Sequence, residues 1–405
     1  MKVDPDGAGF DEQRLERITG HFEARYVATG KVPGCQIAVA RGGRLAYWRS
    51  LGWMDRERSK PVGDDTIWRI YSMTKPITSI ALMQLYERGM FQLTDPLHRY
   101  LPEWRGLEVG ELGPDGAMHM TDQVRPVSVR DALTHMTGLA GSLVPGHPTD
   151  DRFNAALRAN RRGMTLEGLC SLLAEFPLKF QPGTRWNYGV STDVCARLVE
   201  ILSDEAFDSY LQANVFEPLQ MADTGFSVPD GSADRFAACY RYRPGAAPEL
   251  IDDPERSSYR RRRSYLSGGG GLVSTSADYL RFCQMLVNRG ELDGRRIIGR
   301  KTLELMTANH LPDQGELGQL ATGGFGESEF GGVGFGLGFA VGKGPAATAT
   351  AGSPGEYYWG GAASTAFWVD PVEGVTVVFM TQLVPSAAYP FRSQLRALVY
   401  QALAD

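Results

Sequence analysis

The part of the sequence that most constrains the fold is an apolar helix that begins beside a serine. Downstream of the hexapeptide 71–76 (Tyr-Ser-Met-Thr-Lys-Pro), apolar residues recur at helical spacing until Gly89, which marks a stop. The pattern predicts one apolar helix from Ser72 to Arg88, and the remaining chain is organised around its first turn.

Ser72 and Lys75 are three positions apart, so a helix places them on one face, where the hydroxyl and the amine can meet. The first turn of a helix has unpaired N–H groups and a positive dipole end, which stabilise negative charge that forms beside Ser72. A nucleophilic serine with a lysine one turn along is the arrangement of S-x-x-K acyl enzymes. A serine at a helix start is also a common N-cap. The choice between a catalytic and a capping role for Ser72 therefore depends on other parts of the chain.

Length and composition exclude several classes of protein. The 405 residues can bury a large core and predict two lobes. With 42 Lys and Arg against 47 Asp and Glu, the net charge of −5 argues against a general nucleic-acid binder. No segment is apolar enough to span a membrane, and the N-terminus lacks the apolar core of a secretory signal. The five scattered cysteines form no C-x-x-C pair, which predicts reduced thiols and a cytoplasmic location.

The order of helix and strand patterns predicts the fold class. A helix at 10–28 precedes a hairpin of strands 35–40 and 45–48, which turns at Gly42-Gly43. Further helices are predicted at 127–135, 164–174, 191–201 and 206–215, before a polar excursion at 229–265. Strands at 333–341, 364–369 and 375–381 and a helix at 391–403 close the chain.

We therefore expect an α+β fold in which strands from both ends of the chain share one antiparallel sheet flanked by helices. The mostly helical middle is an inserted lobe. The predicted domains are 1–70 with 266–405 for the sheet and 71–265 for the helical lobe, and active sites commonly lie in the cleft between two such lobes.

Three further stretches are candidates for a site. The segment 181–189 brings Tyr188 to a loop before a helix, where a tyrosine can act as general base or proton relay, although packing is the commoner role. Gly360 and Gly361 follow Trp359 before a strand and permit close backbone approach to a ligand, or a simple bulge. The glycine-rich segment 267–272 lacks the Lys-Ser/Thr of a phosphate-binding loop and predicts a flexible packing turn.

Together these stretches resemble the family VIII carboxylesterases, the esterase branch of the serine β-lactamase and penicillin-binding-protein superfamily. The matching segments keep the family's order over nearly the whole chain and are 71–76, 93–96, 133–139, 181–183, 186–188, 221–224, 267–275 and 359–361. The resemblance implies a serine β-lactamase-like α+β fold, with Ser72, Lys75 and Tyr188 in the helical lobe.

The resemblance also implies a role for each site residue. Ser72 is the expected nucleophile, and Lys75 and Tyr188 share the base and proton-shuttle role. The backbone N–H groups of Ser72 and Ala362 form the expected oxyanion hole, with donors placed where negative charge develops.

Substrate contact is expected from Trp359, Gly360 and Gly361. The implied partner is a small-molecule ester, with neither nucleic acid nor membrane. No cofactor is implied, and no H-E-x-x-H or clustered Cys/His spacing predicts a metal. The oligomeric state stays open.

Two departures from the lactamase pattern bear on the substrate. Lactamase relatives have Tyr-x-Asn and Lys-Thr-Gly where this chain has Val190 and Trp359, so an amide and a cation suited to a β-lactam are missing. We therefore expect a serine carboxylesterase that hydrolyses short-chain acyl esters. An acyltransferase, a β-lactamase or a D-amino-acid peptidase with the same site are the alternatives. A non-enzymatic binding module is disfavoured by the intact Ser72, Lys75 and Tyr188.

Three other features of the sequence have structural interpretations. Ser353 lies in a segment that resembles a nucleophile elbow, but the next residue, Pro354, has no N–H for an oxyanion hole. His135, beside two threonines, is predicted to be a hydrogen-bonded structural residue. The run of arginines 260–263 is predicted to be a solvated surface, with the alternative that one arginine lies at the rim of the cleft and attracts acidic substrates.

Overall fold

The computed structural model describes residues 2–114, 116–142, 146–160, 162–322 and 330–404. The helices within these ranges are α1 (Glu12–Phe22), α2 (Thr74–Glu87), α3 (Val129–Leu133), α4 (Pro148–Ala159), α5 (Leu166–Leu173), α6 (Ser191–Ser203), α7 (Phe207–Leu211), α8 (Glu217–Leu219), α9 (Ser276–Val287), α10 (Arg300–Met306), α11 (Leu317–Leu320), α12 (Pro345–Thr348) and α13 (Phe391–Tyr400). The strands are β1 (Gly34–Arg41), β2 (Arg44–Asp55), β3 (Lys60–Pro61), β4 (Ile67–Arg69), β5 (Val109–Leu112), β6 (Met118–Thr121), β7 (Cys239–Arg241), β8 (Glu249–Asp252), β9 (Val273–Thr275), β10 (Glu291–Leu292), β11 (Arg295–Arg296), β12 (Val333–Phe335), β13 (Ala340–Gly342), β14 (Tyr357–Gly360), β15 (Ala366–Asp370), β16 (Val375–Thr381) and β17 (Leu383–Val384).

The central element is an antiparallel sheet built from both ends of the chain. Its strands follow the order β12–β13–β14–β15–β16–β1–β2–β3, and β1 pairs with β16 in the register Ile37 to Phe379. The turn between β1 and β2 consists of Gly42 and Gly43, both with positive φ, as a two-residue hairpin requires. The α+β prediction is thus confirmed, whereas the domain boundaries at residues 70 and 265 stay a prediction.

Helices cover both faces of the sheet. On one face, Ile37 and Val39 of β1 pack in a core with Phe22 of α1 and Leu395 of α13. On the opposite face, Ala38 packs in the larger core that contains α2 and α9. Since strand side chains alternate between faces, β1 is buried along nearly its whole length.

The helix predicted from Ser72 begins two residues later. A 3₁₀ turn (Tyr71–Met73) precedes α2, so Ser72 lies in this turn. Tyr71 has a φ of 43°, which is rare for a bulky residue and reflects the sharp change of direction between β4 and α2. The side chains of α2 are buried from Thr74 to Leu85, so the helix runs through the middle of the core.

Several predicted elements differ in extent from the observed ones. The strand predicted at 333–341 is in fact two paired strands, β12 and β13. The chain turns between them because Gly338 has φ 98° and approaches α2 so closely that a Cβ there would lie 2.2 Å from Ser79 Oγ. The helix predicted at 127–135 is limited to α3 by a capping box of Ser128 and Asp131. The excursion at 229–265 contains the hairpin of β7 and β8.

Two further observations concern the environment of the chain. Across the described ranges, no helix has both the length and the apolar character needed to cross a bilayer. All five cysteines are free thiols with buried side chains.

A buried arginine fixes the chain just before the 3₁₀ turn. Arg69, at the end of β4, is 0% exposed, and its Nε donates to Asp252 Oδ2 of β8 at 2.7 Å. Its Nη1 donates to the carbonyl oxygen of Ala237, and its guanidinium carbon lies 3.9 Å from the ring centre of Phe236. Arg69 therefore ties β4, and with it the approach to Ser72, to the excursion that carries β8.

We predict that Arg69→Leu destabilises the fold by about 3 kcal/mol, because it removes the charged partner of Asp252 and the side-chain donor to the carbonyl oxygen of Ala237. The matched control is Arg300→Leu, which removes an ion pair to Glu304 whose side chains are 50% and 48% exposed. That control should change stability by less than about 1 kcal/mol. Urea unfolding of both variants tests the prediction, and equal midpoints would contradict it.

Candidate active site

Ser72 and Lys75 meet in the interior of the protein. Lys75 Nζ donates to Ser72 Oγ at 3.2 Å and to the carbonyl oxygen of Gly269 at 2.6 Å. Ser72 is 7% exposed and Lys75 4% exposed, so both polar groups depend on these protein partners. The i, i+3 spacing brings the hydroxyl and the amine together even though Ser72 belongs to the 3₁₀ turn and Lys75 to α2.

Tyr188 lies against the same lysine. The ring centre of Tyr188 is 4.5 Å from Lys75 Nζ, an arrangement in which the cation faces the negative side of the ring. The Tyr188 hydroxyl accepts a hydrogen bond of 3.0 Å from Trp359 Nε1. The structure thus brings Lys75, Tyr188 and Trp359 into one contact chain that ends at Ser72.

Aromatic rings enclose this chain of contacts. Trp186 stacks on Tyr188 with ring centres 5.6 Å apart and an interplanar angle of 16°. Phe335 packs against Trp359 and Trp186 with centre distances of 5.5 and 5.6 Å. The rings of Trp186, Tyr188, Phe335 and Trp359 form an apolar wall beside the buried Lys75. Apolar surroundings of this kind strengthen local electrostatic interactions.

His135, which follows α3 and faces α6, completes this wall. Its ring centre is 5.0 Å from that of Tyr188, and its Nε2 lies 3.4 Å from Thr192 Oγ1. Burial, and next the charge of Lys75, hold the pKa of His135 well below its ordinary value, so the imidazole is neutral at neutral pH. The residue is bonded, as predicted, but to a threonine of α6 and not to its neighbours in sequence.

The loop after β14 lies directly against the chain that precedes Ser72. A Cβ added to Gly361 would be 2.5 Å from the carbonyl oxygen of Ile70 and 2.2 Å from Thr365 Oγ1. Only glycine fits there, and the contact carries the neighbouring Ala362 toward the 3₁₀ turn. Among the residues that the structure describes, the Ala362 N–H has no protein acceptor.

The neighbouring positions of this loop face different surroundings. Gly360 lies under Arg392, where a Cβ would be 2.4 Å from Nη2, and Arg392 donates to the carbonyls of Gly361 and Thr365 at 3.4 and 3.1 Å. Trp359, Gly360 and Gly361 also line a cavity of about 110 Å³ beside α13. Ser72 and Lys75 do not border that cavity, so it is separate from their contact.

The glycine-rich segment has a role that its sequence does not reveal. Its carbonyl oxygens accept hydrogen bonds from α2, namely Gly268 O from Thr78 Oγ1 at 2.8 Å and Gly269 O from Lys75. A Cβ at Gly268 would lie 2.6 Å from Ala196 Cβ of α6. The segment is therefore wedged between α2 and α6 and anchors Lys75, a function beyond that of the predicted packing turn.

The run of arginines is divided between surface and site. Arginines 260–262 are exposed, as predicted for a solvated surface, and Arg262 pairs with Asp208. Arg263 instead donates to the carbonyl oxygen of Gly271 at 3.1 Å and lies 4.2 Å from the ring centre of Tyr259. One arginine of the run therefore supports the glycine-rich segment.

The arrangement suits nucleophilic catalysis by a serine. Ser72 Oγ is in hydrogen-bond contact with an amine, and that amine is in contact with a phenol ring, the layout of an activated nucleophile with a coupled base. Within the described part of the chain, no three His, Cys, Asp or Glu side chains come together as metal ligands.

Sequence reasoning missed Asp193, whose Oδ1 accepts from the Gly269 N–H at 3.2 Å and from Ser267 Oγ at 2.6 Å. The sequence does indicate that Asp193 lies in the first turn of a predicted helix. Its partners lie more than 70 positions further along the chain, so local pattern could not identify them.

Comparisons with known proteins extend over nearly the whole chain. A family model described as Beta-lactamase matches residues 20–401. Protein Rv1367c of Mycobacterium tuberculosis is 31% identical over 364 residues, covering 88% of this chain and 87% of that protein. Esterase EstB of Burkholderia gladioli is 29% identical over 425 aligned residues, covering 98% of each chain. The solved structure of EstCE1, a hydrolase with promiscuous acyltransferase activity, superposes with a TM-score of 0.76 at 27% identity, covering 96% of this chain and 99% of that one.

We predict that Gly361→Ala slows the reaction of Ser72 with a fluorophosphonate by about 100-fold, because the added Cβ pushes the loop away from Ile70 and Ser72. Gly20→Ala is the control, since a Cβ at this position of α1 meets nothing within 4 Å. The rate of labelling, followed by intact-mass spectrometry, should be unchanged in the control. A normal rate in Gly361→Ala would show that the contact of this loop does not matter for Ser72.

Proposed function

Because this chain belongs to the beta-lactamase family, we propose that it uses the S-x-x-K site of that family as a serine carboxylesterase on short-chain acyl esters. The observation that carries the proposal is the buried 3.2 Å contact between Lys75 Nζ and Ser72 Oγ beside an aromatic wall. Esterase EstB, similar over 98% of both chains, and the hydrolase EstCE1 support the esterase branch that the motifs indicate.

The reaction passes through an acyl-enzyme on Ser72. Ser72 Oγ attacks the ester carbonyl carbon while its proton moves to the pair of Lys75 and Tyr188. The backbone N–H groups of Ser72 and Ala362 stabilise the oxyanion of the tetrahedral intermediate. The alkoxide takes that proton as its C–O bond breaks and leaves as the alcohol. A water molecule, deprotonated by the same pair, then attacks the acyl carbonyl carbon; the bond between this carbon and Ser72 Oγ breaks, the pair returns the proton to Ser72 Oγ, and the carboxylic acid leaves.

Lys75 and Tyr188 have different positions relative to Ser72 and therefore different parts in the proton transfer. Lys75 touches Ser72 Oγ directly, whereas Tyr188 touches Lys75 with its ring face and takes a hydrogen bond from Trp359 at its hydroxyl. Trp359 thus orients Tyr188 in addition to offering apolar surface to the substrate.

The chemistry of the wall selects uncharged esters. Where lactamases place a lysine, this chain places Trp359, whose indole N–H is already used by Tyr188. A substrate carboxylate therefore finds rings instead of a cation, while an acyl or aryl group gains apolar contact. Acyl transfer to an alcohol instead of water is the second candidate, favoured by the similarity to EstCE1, a hydrolase with promiscuous acyltransferase activity.

The proposed partner is a small-molecule ester, bound without nucleic acid or membrane. We propose a cytoplasmic location, and the five free, buried thiols support this proposal. Burial raises the pKa of the thiols of Cys35, Cys170 and Cys195, which keeps them protonated and unreactive.

We predict that Ser72→Ala abolishes turnover while the fold stays intact, because it removes the nucleophile. Wild-type protein mixed with a fluorophosphonate should gain one adduct by intact mass, and peptide mapping should place it on Ser72. Ser353→Ala is the control and should label as fast as the wild type. An adduct on Ser353 would contradict the assignment of the nucleophile.

We predict that kcat/KM for an aryl butyrate exceeds that for a chromogenic cephalosporin. Loss of one charged hydrogen-bond anchor costs the lactam about 10- to 200-fold, whereas the ester requires no such anchor. Both substrates are measured on one preparation, with Ser72→Ala as the blank. If the cephalosporin were the better substrate, the esterase proposal would be wrong.

A further inference from the structure

The position of Lys75 is set mainly by a backbone carbonyl. Its Nζ is closer to Gly269 O, at 2.6 Å, than to Ser72 Oγ, at 3.2 Å. The orientation of Gly269 therefore decides where the amine stands relative to the nucleophile. The position of a backbone carbonyl is set by the conformation of its loop. Other residues must therefore hold the loop around Gly269 in place.

Asp193 is the partner that holds Gly269 from the opposite side. Asp193 Oδ1 accepts the Gly269 N–H at 3.2 Å and the Ser267 hydroxyl at 2.6 Å. Gly269 is thus bound at both backbone groups, the N–H by Asp193 and the carbonyl by Lys75. Asp193 is 4% exposed and lies in the first turn of α6, five positions after Tyr188. One carboxylate therefore connects the helix that follows Tyr188 with the loop that anchors Lys75.

Steric contacts leave the loop little freedom. A Cβ at Gly269 would be 2.7 Å from Asp193 Oδ2, so only glycine lets the backbone come this close to the carboxylate. On the far side, the Tyr259 hydroxyl donates to Gly270 O at 3.4 Å. The loop is held from both sides, and removal of Asp193 frees the side that faces α6.

We propose that Asp193 is a positioning residue for the reaction, which fixes Gly269 so that its carbonyl holds Lys75 Nζ at Ser72 Oγ. The inference rests on the proposed function of Ser72 and Lys75. Both hydrogen bonds end on the same oxygen, Oδ1, so an asparagine amide oxygen in that place keeps them. Asp193 acts through these bonds and not through its charge.

The experiment compares kcat and KM for an aryl butyrate in Asp193→Ala and Asp193→Asn. Asp193→Ala should lower kcat by about 10- to 100-fold and leave KM within about threefold, because the substrate site stays while the amine loses its alignment. Asp193→Asn should restore kcat to within about threefold of the wild type. If Asp193→Ala acted only by damaging the fold, we would not expect a loss confined to kcat that Asp193→Asn restores.

Two further variants keep the result interpretable. Ser267→Ala removes the hydrogen bond from the Ser267 hydroxyl to Asp193 Oδ1 and should lower kcat by about 3- to 10-fold. This variant tests the inference if Asp193→Ala does not fold. The control is Asp278→Ala. Asp278 is also a buried first-turn aspartate, in α9, and accepts from the Asp223 N–H at 2.8 Å and from Thr224 Oγ1 at 2.9 Å. It should lower the thermal midpoint and leave kcat unchanged.

Three results would overturn the inference: kcat near the wild-type value in folded Asp193→Ala or in Ser267→Ala, Asp193→Asn as slow as Asp193→Ala, or an equal loss of kcat in Asp278→Ala. Fluorophosphonate labelling of the wild type separates these failures from failure of the proposed function. If Ser72 labels and Asp193 variants turn over normally, this inference alone is wrong. If Ser72 of the wild type does not label, the proposed function is wrong and this inference with it.

Discussion

The site depends on providing protein partners for one lysine amine that is held away from water. A lysine that is 4% exposed carries a large desolvation cost unless its donors are satisfied. Here a carbonyl oxygen, a hydroxyl and the face of a phenol ring surround Nζ, and each comes from a different element. The buried helix α2, the sharp turn at Tyr71 and the glycine-rich segment together create this environment, so the surroundings of Lys75 depend on contacts between segments far apart in the sequence.

The sequence predicts best what depends on neighbouring residues. The i, i+3 spacing of Ser72 and Lys75, the hairpin at Gly42-Gly43 and the amphipathic pattern of α1 are local, and the structure contains each of them. The partners of Arg69 and Asp193 could not be predicted, because their hydrogen bonds join residues 183 and 76 positions apart. The turn at Gly338 likewise follows from its contact with Ser79, which no periodicity in the strand region encodes.

Trp359 shows how one substitution changes both parts of a site. In the sequence, Trp359 replaces the lysine with which lactamases bind the carboxylate of a β-lactam. In the structure, its indole N–H donates to the Tyr188 hydroxyl, and its ring closes the aromatic wall with Phe335. In the proposed mechanism, the position therefore affects both which substrate is bound and how Tyr188 is oriented, so a substitution at Trp359 would change the two properties together.

The anchoring of Lys75 by a peptide carbonyl affects how this scaffold can diverge. A point mutation cannot delete a carbonyl, so side chains elsewhere in the site can vary while the lysine keeps its principal partner. Insertions and deletions act differently, because one residue more or less between Arg263 and Leu272 would present a different carbonyl to Nζ. Loop exchange in this scaffold, whether in natural divergence or in the laboratory, should therefore preserve the length of this segment even where its sequence changes.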